Sequence, residues 1–255
     1  MPWELYDLSR DFSQSTDVAA EEPERVRDLS MLWFAMAGRY GLFPLHGEQL
    51  MGLAPRANRD LAELTLWPFA AAVPNDSTVS LIQRAFNVIA PVELAAGDEG
   101  VIVAQGDRFA GWTLFVQGGR LVYEQNYLGL EHFRVASTEP LPTGKVELGM
   151  ALELQGELEI SPTLSSYGMR GRAGFVRLYA DGAEIGAGAI PKLAPFSWSL
   201  SGEGIAAGWD SESAVSDRYT EPFRFTGKLD RVVISVSGEP FEDFAKTVEK
   251  AWLVQ

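Results

Sequence analysis

Residues 145–155 place a large apolar side chain at every second position, and this alternation is the strictest constraint that the sequence places on its fold. The residues on the apolar side are Val146, Leu148, Met150, Leu152 and Leu154. A period of two is typical of a strand with one buried face. Gly118-Gly119 and Asp181-Gly182 separate other apolar runs, and both dipeptides favour two-residue hairpins. The sequence therefore predicts short strands that pair antiparallel.

Further strands are predicted on both sides of this segment, with turn residues between them. They are Phe86–Leu94, Val101–Gln105, Trp112–Gln117, Leu121–Tyr127, His132–Ser137, Phe175–Ala180, Ala183–Ile190, Phe196–Leu200 and Leu229–Val236. Many short strands joined by turns indicate an antiparallel sandwich rather than a parallel sheet. We therefore expect a mainly β fold, with a sandwich domain over residues 81–238.

Two helices and a linker are predicted outside the sandwich. Residues 24–40 form the first helix, with Pro23 in its first turn, and Phe241, Phe244, Val248 and Trp252 mark an apolar stripe on a second helix within residues 239–255. Residues 3–8 alternate apolar and polar side chains and predict a short strand. Residues 46–80 are interrupted by proline and glycine and show little periodicity, which predicts a linker.

Charge and cysteine content exclude several function classes. The formal net charge is −14, from 35 acidic and 21 basic residues. A surface this acidic repels phosphate backbones and anionic lipid, so we expect no nucleic-acid or membrane-surface binding. The chain has no cysteine, which excludes disulfides, thiolate metal sites and a cysteine nucleophile. No signal peptide or membrane-spanning segment is predicted, and the sequence favours no particular cellular compartment.

Two regions of the sequence resemble bacterial arylsulfatases. Residues 3–8, with the sequence Trp-Glu-Leu-Tyr-Asp-Leu, resemble a strand near the end of the catalytic unit, and the helix that follows and the segment Tyr40–Leu45 match the same region. Segments of the predicted sandwich resemble the C-terminal β domain of these enzymes and are also similar to concanavalin-like jelly-roll and laminin-G-like sandwiches. These segments are residues 104–106, 111–116, 119–123, 176–182 and 223–227.

The resemblance implies an accessory role for this chain. Residues 1–45 would be the end of a sulfatase core, and the parent would be a formylglycine-dependent sulfuric ester hydrolase whose catalytic domain binds calcium. The formylglycine motif Cys/Ser-x-Pro-x-Arg is missing, since its nearest match, residues 220–224, begins with threonine. We therefore expect a non-catalytic C-terminal domain, without a cofactor of its own, that packs beside a catalytic domain.

The first helix offers a surface through which such packing would occur. The predicted docking residues are Trp3, Val26, Leu29, Trp33, Met36 and Tyr40. In a sulfatase-like protein this face would lie against the catalytic domain, and without that domain a self-complementary apolar stripe favours a two-fold dimer. The expected partner is a sulfatase catalytic domain or a second copy of the chain.

The alternative function is a lectin-like carbohydrate-binding module. Tyr123, Asn126 and Tyr127 are the candidate sugar-binding residues, because aromatic rings near a strand end can stack on a sugar. Asp210, Glu212 and Asp217 form a weak candidate for calcium binding in one loop.

No catalytic residues are predicted, and an independent enzyme is therefore the least favoured hypothesis. His46 and His132 have no recognisable partner in the sequence, and a surface role is preferred for both. Glu157 and Glu159 share a strand face, but solvated outer-face residues explain them more simply than a glycosidase pair does.

Overall fold

The computed structural model divides the chain into two compact units, Met1–Met51 and Gly52–Gln255. The structure describes residues 3–39, 61–156, 159–160, 169–194, 203–210 and 213–237. The predicted strand at 196–200, the predicted helix at 239–255, Tyr40, His46, Glu157 and Glu212 lie outside these ranges. Among the described residues, no helix has both the length and the apolar character needed to cross a membrane.

The N-terminal unit is built around one helix, α1 (Pro23–Arg39), which confirms the helix predicted at 24–40. Pro23 lies at the first position, where a missing N–H costs no hydrogen bond. The Trp3 ring packs edge-on against Trp33 of α1, with 5.6 Å between their centroids. Leu29 and Met36 of the predicted docking face are exposed, whereas Val26 and Trp33 are half-buried.

The strand predicted at residues 3–8 is wrong. Residues 3–7 have no assigned strand and run into a turn at residues 8–10. The carboxylates of Asp7 and Asp17 accept hydrogen bonds from the backbone N–H groups of Ser9 and Leu5. These local bonds satisfy backbone donors that a neighbouring strand would otherwise have to satisfy.

The second unit consists of fourteen described strands. Their bounds are β1 (Glu63–Leu66), β2 (Ala85–Leu94), β3 (Gly100–Asp107), β4 (Ala110–Gln117), β5 (Arg120–Tyr127), β6 (Glu131–Ala136), β7 (Gly144–Gln155), β8 (Glu159–Ile160), β9 (Met169–Arg170), β10 (Ala173–Ala180), β11 (Ala183–Ile190), β12 (Ile205–Ala207), β13 (Lys228–Leu229) and β14 (Val232–Ser237). The single strand predicted at 229–236 is thus divided into β13 and β14. A single 3₁₀ turn, Asn75–Ser77, lies between β1 and β2.

These strands form an antiparallel sandwich, as predicted. A seven-stranded sheet has the order β1-β14-β2-β7-β10-β11, with β13 also paired to β2. A five-stranded sheet has the order β12-β3-β4-β5-β6, and β8 and β9 form a separate two-stranded ribbon. All of the strand pairings are antiparallel.

Both predicted hairpins are confirmed. Gly118 and Gly119 link β4 to β5 with φ angles of 58° and 71°, and Asp181 and Gly182 link β10 to β11 with φ angles of 48° and 77°. A positive φ at both loop residues is the requirement of a type I′ turn. The turn twists in the same sense as the strands, which sets the pairing register on either side.

The apolar side chains of β7 face the core, as predicted. Val146, Leu148, Met150 and Leu152 are buried, and Leu154 is partly buried against them. On the opposing sheet the Trp112 ring lies 5.0 Å from Phe86 and 6.2 Å from Tyr123, measured between ring centroids. The inner layer is therefore an apolar interface between the two sheets.

The two sheets are joined along both sides. On one side the chain leaves β1 and bonds to β12, through Phe69 N to Ala207 O and through reciprocal bonds between Val73 and Ile205. A side chain at Gly204 would begin 1.9 Å from Val73 O, so this approach requires glycine. On the other side Thr138 N, just beyond β6, donates to Ile185 O of β11. Residues 61–73 therefore belong to the sandwich, which corrects the predicted linker at 46–80.

The buried row of β7 makes a direct prediction about stability. Leu152→Ala should lower the free energy of unfolding by about 2–5 kcal/mol, because it opens a cavity at a side chain that is only 2% exposed. Leu130→Ala is the matched control, since Leu130 is 78% exposed and its truncation should cost less than about 0.5 kcal/mol. Urea denaturation of both variants measures the difference. Equal losses would show that the inward facing of β7 is incorrect.

Candidate functional site

The outer face of the five-stranded sheet is covered by residues 208–210 and 213–225, which we call the cover segment. Val215 of this segment packs on Val101, Phe115 and Val122, and Tyr219 and Phe223 pack around them. The Tyr219 and Phe223 rings stack with centroids 4.8 Å apart, and both meet Phe115 edge-on. The covered face is thus a second, smaller apolar layer, and its polar residues lose contact with solvent.

Glu124 of β5 is a carboxylate in this layer that has no exposed surface. His132 Nδ1 lies 2.6 Å from its Oε1, Arg134 Nε donates to Oε2 at 2.7 Å, and Ser216 Oγ donates to Oε2 at 2.7 Å. Arg134 also pairs with Asp217 of the cover segment. The hydrogen bond with Glu124 is the main cause that raises the pKa of Arg134 above its ordinary value. This network fixes the cover segment to β5 and β6.

The network contains the residue types of a catalytic triad, but its hydrogen bonds do not connect them as a triad does. In such a triad the serine hydroxyl bonds to the imidazole, which takes its proton. Here the Ser216 hydroxyl bonds to the carboxylate instead. His132, for which no partner was recognised in the sequence, has one in Glu124 across the β5–β6 hairpin.

Glu124, His132 and Asp217 each offer a ligand atom within 4.8 Å of the others, which is close enough to hold a metal ion. The Arg134 guanidinium already bonds to both carboxylates of this group. A cation therefore occupies the position that a metal would take, and the arrangement is an ion-pair network.

The calcium loop predicted from Asp210, Glu212 and Asp217 does not assemble from the residues that the structure describes. Asp210 is 1% exposed and accepts from Val215 N at 2.9 Å and from Tyr219 Oη at 2.6 Å. Burial, and then the nearby Asp210, raise the pKa of the Tyr219 hydroxyl well above its ordinary value. Asp217 instead pairs with Arg134. The two carboxylates thus serve separate networks.

The burial of Tyr123 and Asn126 corrects their assignment as sugar-binding residues. Tyr123 has no exposed surface, and its hydroxyl donates to Gln125. Asn126 has none either, and its side-chain amide bonds to Asp107 O, Val215 O and Gly129 N. Tyr127 is half-buried beneath Lys192, whose Nζ lies 5.3 Å from the ring centroid. A stacking surface needs an accessible ring, and Tyr123 does not provide one.

A different aromatic surface lies at the base of the cover segment. We call Phe69, Trp209 and Arg224 the aromatic platform. The Arg224 guanidinium carbon lies 5.5 Å from the Phe69 centroid and 5.2 Å from the Trp209 centroid, which places the cation over both rings. Phe69 is 45% exposed, and the neighbouring Trp67 is 60% exposed.

The backbone holds the platform in position. Phe69 has a φ of 61°, an unfavourable angle for a bulky residue that costs about 1–3 kcal/mol, and its N–H donates to Ala207 O. The Trp209 indole N–H donates to Ala70 O at 3.2 Å. A ring held outward at this cost is a reason to examine the surface for function.

Sequence reasoning did not identify this platform. Phe69 falls in the predicted linker, more than a hundred positions before Trp209 and Arg224. The exposed Trp67-Pro68-Phe69 turn is the only local signal, since large aromatic residues are uncommon in solvent-facing turns.

No family model matches this sequence, and no curated protein does. Among solved structures, the SAP-like pentraxin of Limulus polyphemus matches with a TM-score of 0.37 and 13% identity, over 68% of this chain and 69% of that one. The mouse laminin α1 domains LG4-5 match with a TM-score of 0.37 and 17% identity, over 72% of this chain and 43% of that one. Galectin LEC-6 of Caenorhabditis elegans matches with a TM-score of 0.35 and 9% identity, over 69% and 96%. The sandwich fold is established by the strand pairing within the two sheets of this chain.

The buried hydrogen bonds of Glu124 predict that removing one charged partner lowers the free energy of unfolding strongly. Arg134→Met should lower the free energy of unfolding by about 3–5 kcal/mol, because it leaves a buried carboxylate without its guanidinium. Arg177→Met is the matched control, since the pairs of Arg177 with Glu184 and Glu153 are exposed and should contribute less than about 1 kcal/mol. Urea denaturation at neutral pH measures both. Similar losses would mean that the Glu124 network contributes no more than a surface ion pair.

Proposed function

We propose that this chain is a non-catalytic binding module whose sandwich recognises carbohydrate through the aromatic platform. The observation that carries the proposal is an exposed Phe69 ring, fixed together with Trp209 and a guanidinium on a rigid edge of the sandwich. The C–H faces of a sugar ring pack on aromatic faces, and its hydroxyls accept hydrogen bonds from a guanidinium. A pre-formed surface of this kind needs little reordering on binding.

The chemistry of the buried polar residues supports the non-catalytic part of the proposal. Glu124, His132 and Ser216 are committed to one another and to Arg134 beneath the cover segment. A general acid or nucleophile must reach the substrate, and Glu124 and Ser216 are almost without exposed surface. Hydrolysis of a nitrophenyl sulfate by the isolated chain would contradict this assignment.

A second candidate function is docking to the catalytic domain of an arylsulfatase-like sulfuric ester hydrolase. The observation that favours it is the number of large apolar side chains that α1 exposes. On the side of α1 that carries the predicted docking face, they are Leu29, Leu32 and Met36. Removing such side chains from water is favourable, by roughly 25 cal/mol per Å². In the isolated chain the available partner is the same helix of a second copy.

Binding at the platform is tested with a glycan array followed by titration of the bound glycans. Phe69→Ala should weaken binding roughly tenfold, the loss of about 1.4 kcal/mol of ring contact. Phe109→Ala is the matched control, because Phe109 is also exposed and also lies beneath an arginine, Arg108, yet it is outside the platform. Melting temperatures of both variants report any loss of fold. If no glycan binds, or if both variants bind like the wild type, carbohydrate recognition at the platform is refuted.

Docking through α1 is tested by the oligomeric state in light scattering. The wild type should form a dimer, and Leu29→Asp should shift it to monomer, because a charge on the predicted face cannot be buried without a partner. Met31→Asp is the matched control, since Met31 is exposed on the opposite side of α1. Trp33 is less suitable for substitution because it packs on Trp3. A wild-type monomer at high concentration would remove the support for pairing.

A further inference from the structure

We infer that the aromatic platform selects carbohydrates that carry a carboxylate or sulfate group, and that Arg224 is the residue that recognises this group. The inference rests on the proposed carbohydrate binding and adds the chemical class of the ligand.

Arg224 is an exposed cation without a carboxylate partner among the residues that the structure describes. Arg108 and Arg218 share this property among the described residues, but Arg108 lies over one ring whereas Arg224 lies over two. Arg134, Arg177 and Arg231 each pair with a carboxylate. Arg84, Arg120 and Arg172 donate to backbone carbonyls instead. Arg224 therefore keeps a positive charge that the protein does not neutralise through a direct contact.

Stacking leaves the hydrogen-bonding edge of the guanidinium available. The guanidinium carbon of Arg224 lies over the Phe69 and Trp209 rings, 5.5 and 5.2 Å from their centroids. Within the part of the chain that the structure describes, its N–H groups donate to no protein oxygen, so these donors are available to a ligand. Two of these donors match the two oxygens of a carboxylate or sulfate. The platform thus combines ring surface for a sugar with a donor pair for an anion.

The backbone around Arg224 is fixed on both sides. Val101 N donates to Phe223 O, and Phe225 N donates to Gly208 O, both at 2.9 Å. Arg224 itself bridges to Val101 of β3. Asp210, which follows Trp209, is buried and hydrogen-bonded to Val215 and Tyr219. The backbone that carries the Arg224 side chain is therefore held in place, which reduces the entropy lost when Arg224 binds an anion.

The net charge of −14 opposes the approach of an anion from a distance. Selectivity at this site must therefore come from the short-range, charge-assisted hydrogen bonds of Arg224. Another surface arginine should not replace Arg224, even at the same overall charge. Arg108 provides the comparison, because it lies 4.8 Å over the Phe109 ring and is not part of the platform.

The test uses three forms of one oligosaccharide. They are a chondroitin 4-sulfate hexasaccharide, its desulfated form, which retains the carboxylates, and a desulfated, carboxyl-reduced form, which is neutral. Calorimetric titration of the wild type should show about ten- to a hundredfold tighter binding of an anionic form than of the neutral form. The order of the sulfated and desulfated forms identifies which anion is recognised.

Arg224→Gln should abolish this preference, because the anionic forms lose a charge-assisted pair of hydrogen bonds whereas the neutral form loses only a hydrogen bond to a sugar hydroxyl. Arg224→Lys should restore part of the preference, because it keeps the charge but not the paired donors. Arg108→Gln should leave the preference unchanged. Equal wild-type affinity for charged and neutral forms, or equal losses in the Arg224→Gln and Arg108→Gln variants, would overturn the inference.

Two further outcomes separate this inference from the proposed function. If the protein binds neutral glycans on the array but none of the three chondroitin forms, the proposed function is supported and the inference is refuted. If it binds no glycan, both are refuted.

Discussion

The burial of the five-stranded sheet on both of its faces is the constraint on which the rest of this structure depends. Every residue of β3 is buried, as are seven of the eight residues of β4. The inner face is covered by the seven-stranded sheet and the outer face by the cover segment. A polar side chain on either face must therefore find its partners inside the protein. Glu124, Asn126 and Asp210 each have hydrogen-bond partners in the cover segment. This requirement explains why several buried polar groups lie around that segment.

The same constraint determines where the aromatic platform lies. The cover segment leaves the sandwich edge after β12 and returns to it before β13, and its two ends bond to each other through Asp210 N to Pro222 O and Phe225 N to Gly208 O. Trp209 and Arg224 are carried on these paired ends. The turn that contains Phe69 bonds to the neighbouring strand, β12. The segment that covers the sheet thus places Trp209 and Arg224 beside Phe69, which is distant from both in the sequence.

The sequence was sufficient for features that depend on neighbouring residues. The alternation of β7, the two type I′ hairpins and helix α1 are local properties, and all were predicted correctly. β12 is only three residues long and forms because β3 and the segment after β1 offer hydrogen bonds to it. No local pattern could predict it, and the same reason explains why β1 was placed in a linker.

The candidate site was harder to predict than the fold. The sequence favours Tyr123 and Asn126 as sugar-binding residues because of their residue types near a strand end, but their exposure depends on what covers β5. His132 gained a partner, Glu124, only through the β5–β6 pairing. Phe69, Trp209 and Arg224 have no periodic relation in the sequence, so their proximity is a property of the tertiary structure alone.

The junctions between the two sheets also bear on how this protein behaves in a crowded solution. An unpaired strand edge is a template on which other chains can add, and such addition begins many fibres. Here the edge of β12 is occupied by the chain that leaves β1, and Thr138 bonds across from β6 to β11. Access to these edges would require the sheets to separate first. The junctions therefore act as a barrier to strand-by-strand aggregation, and the barrier depends on the small space that Gly204 leaves for the carbonyl of Val73.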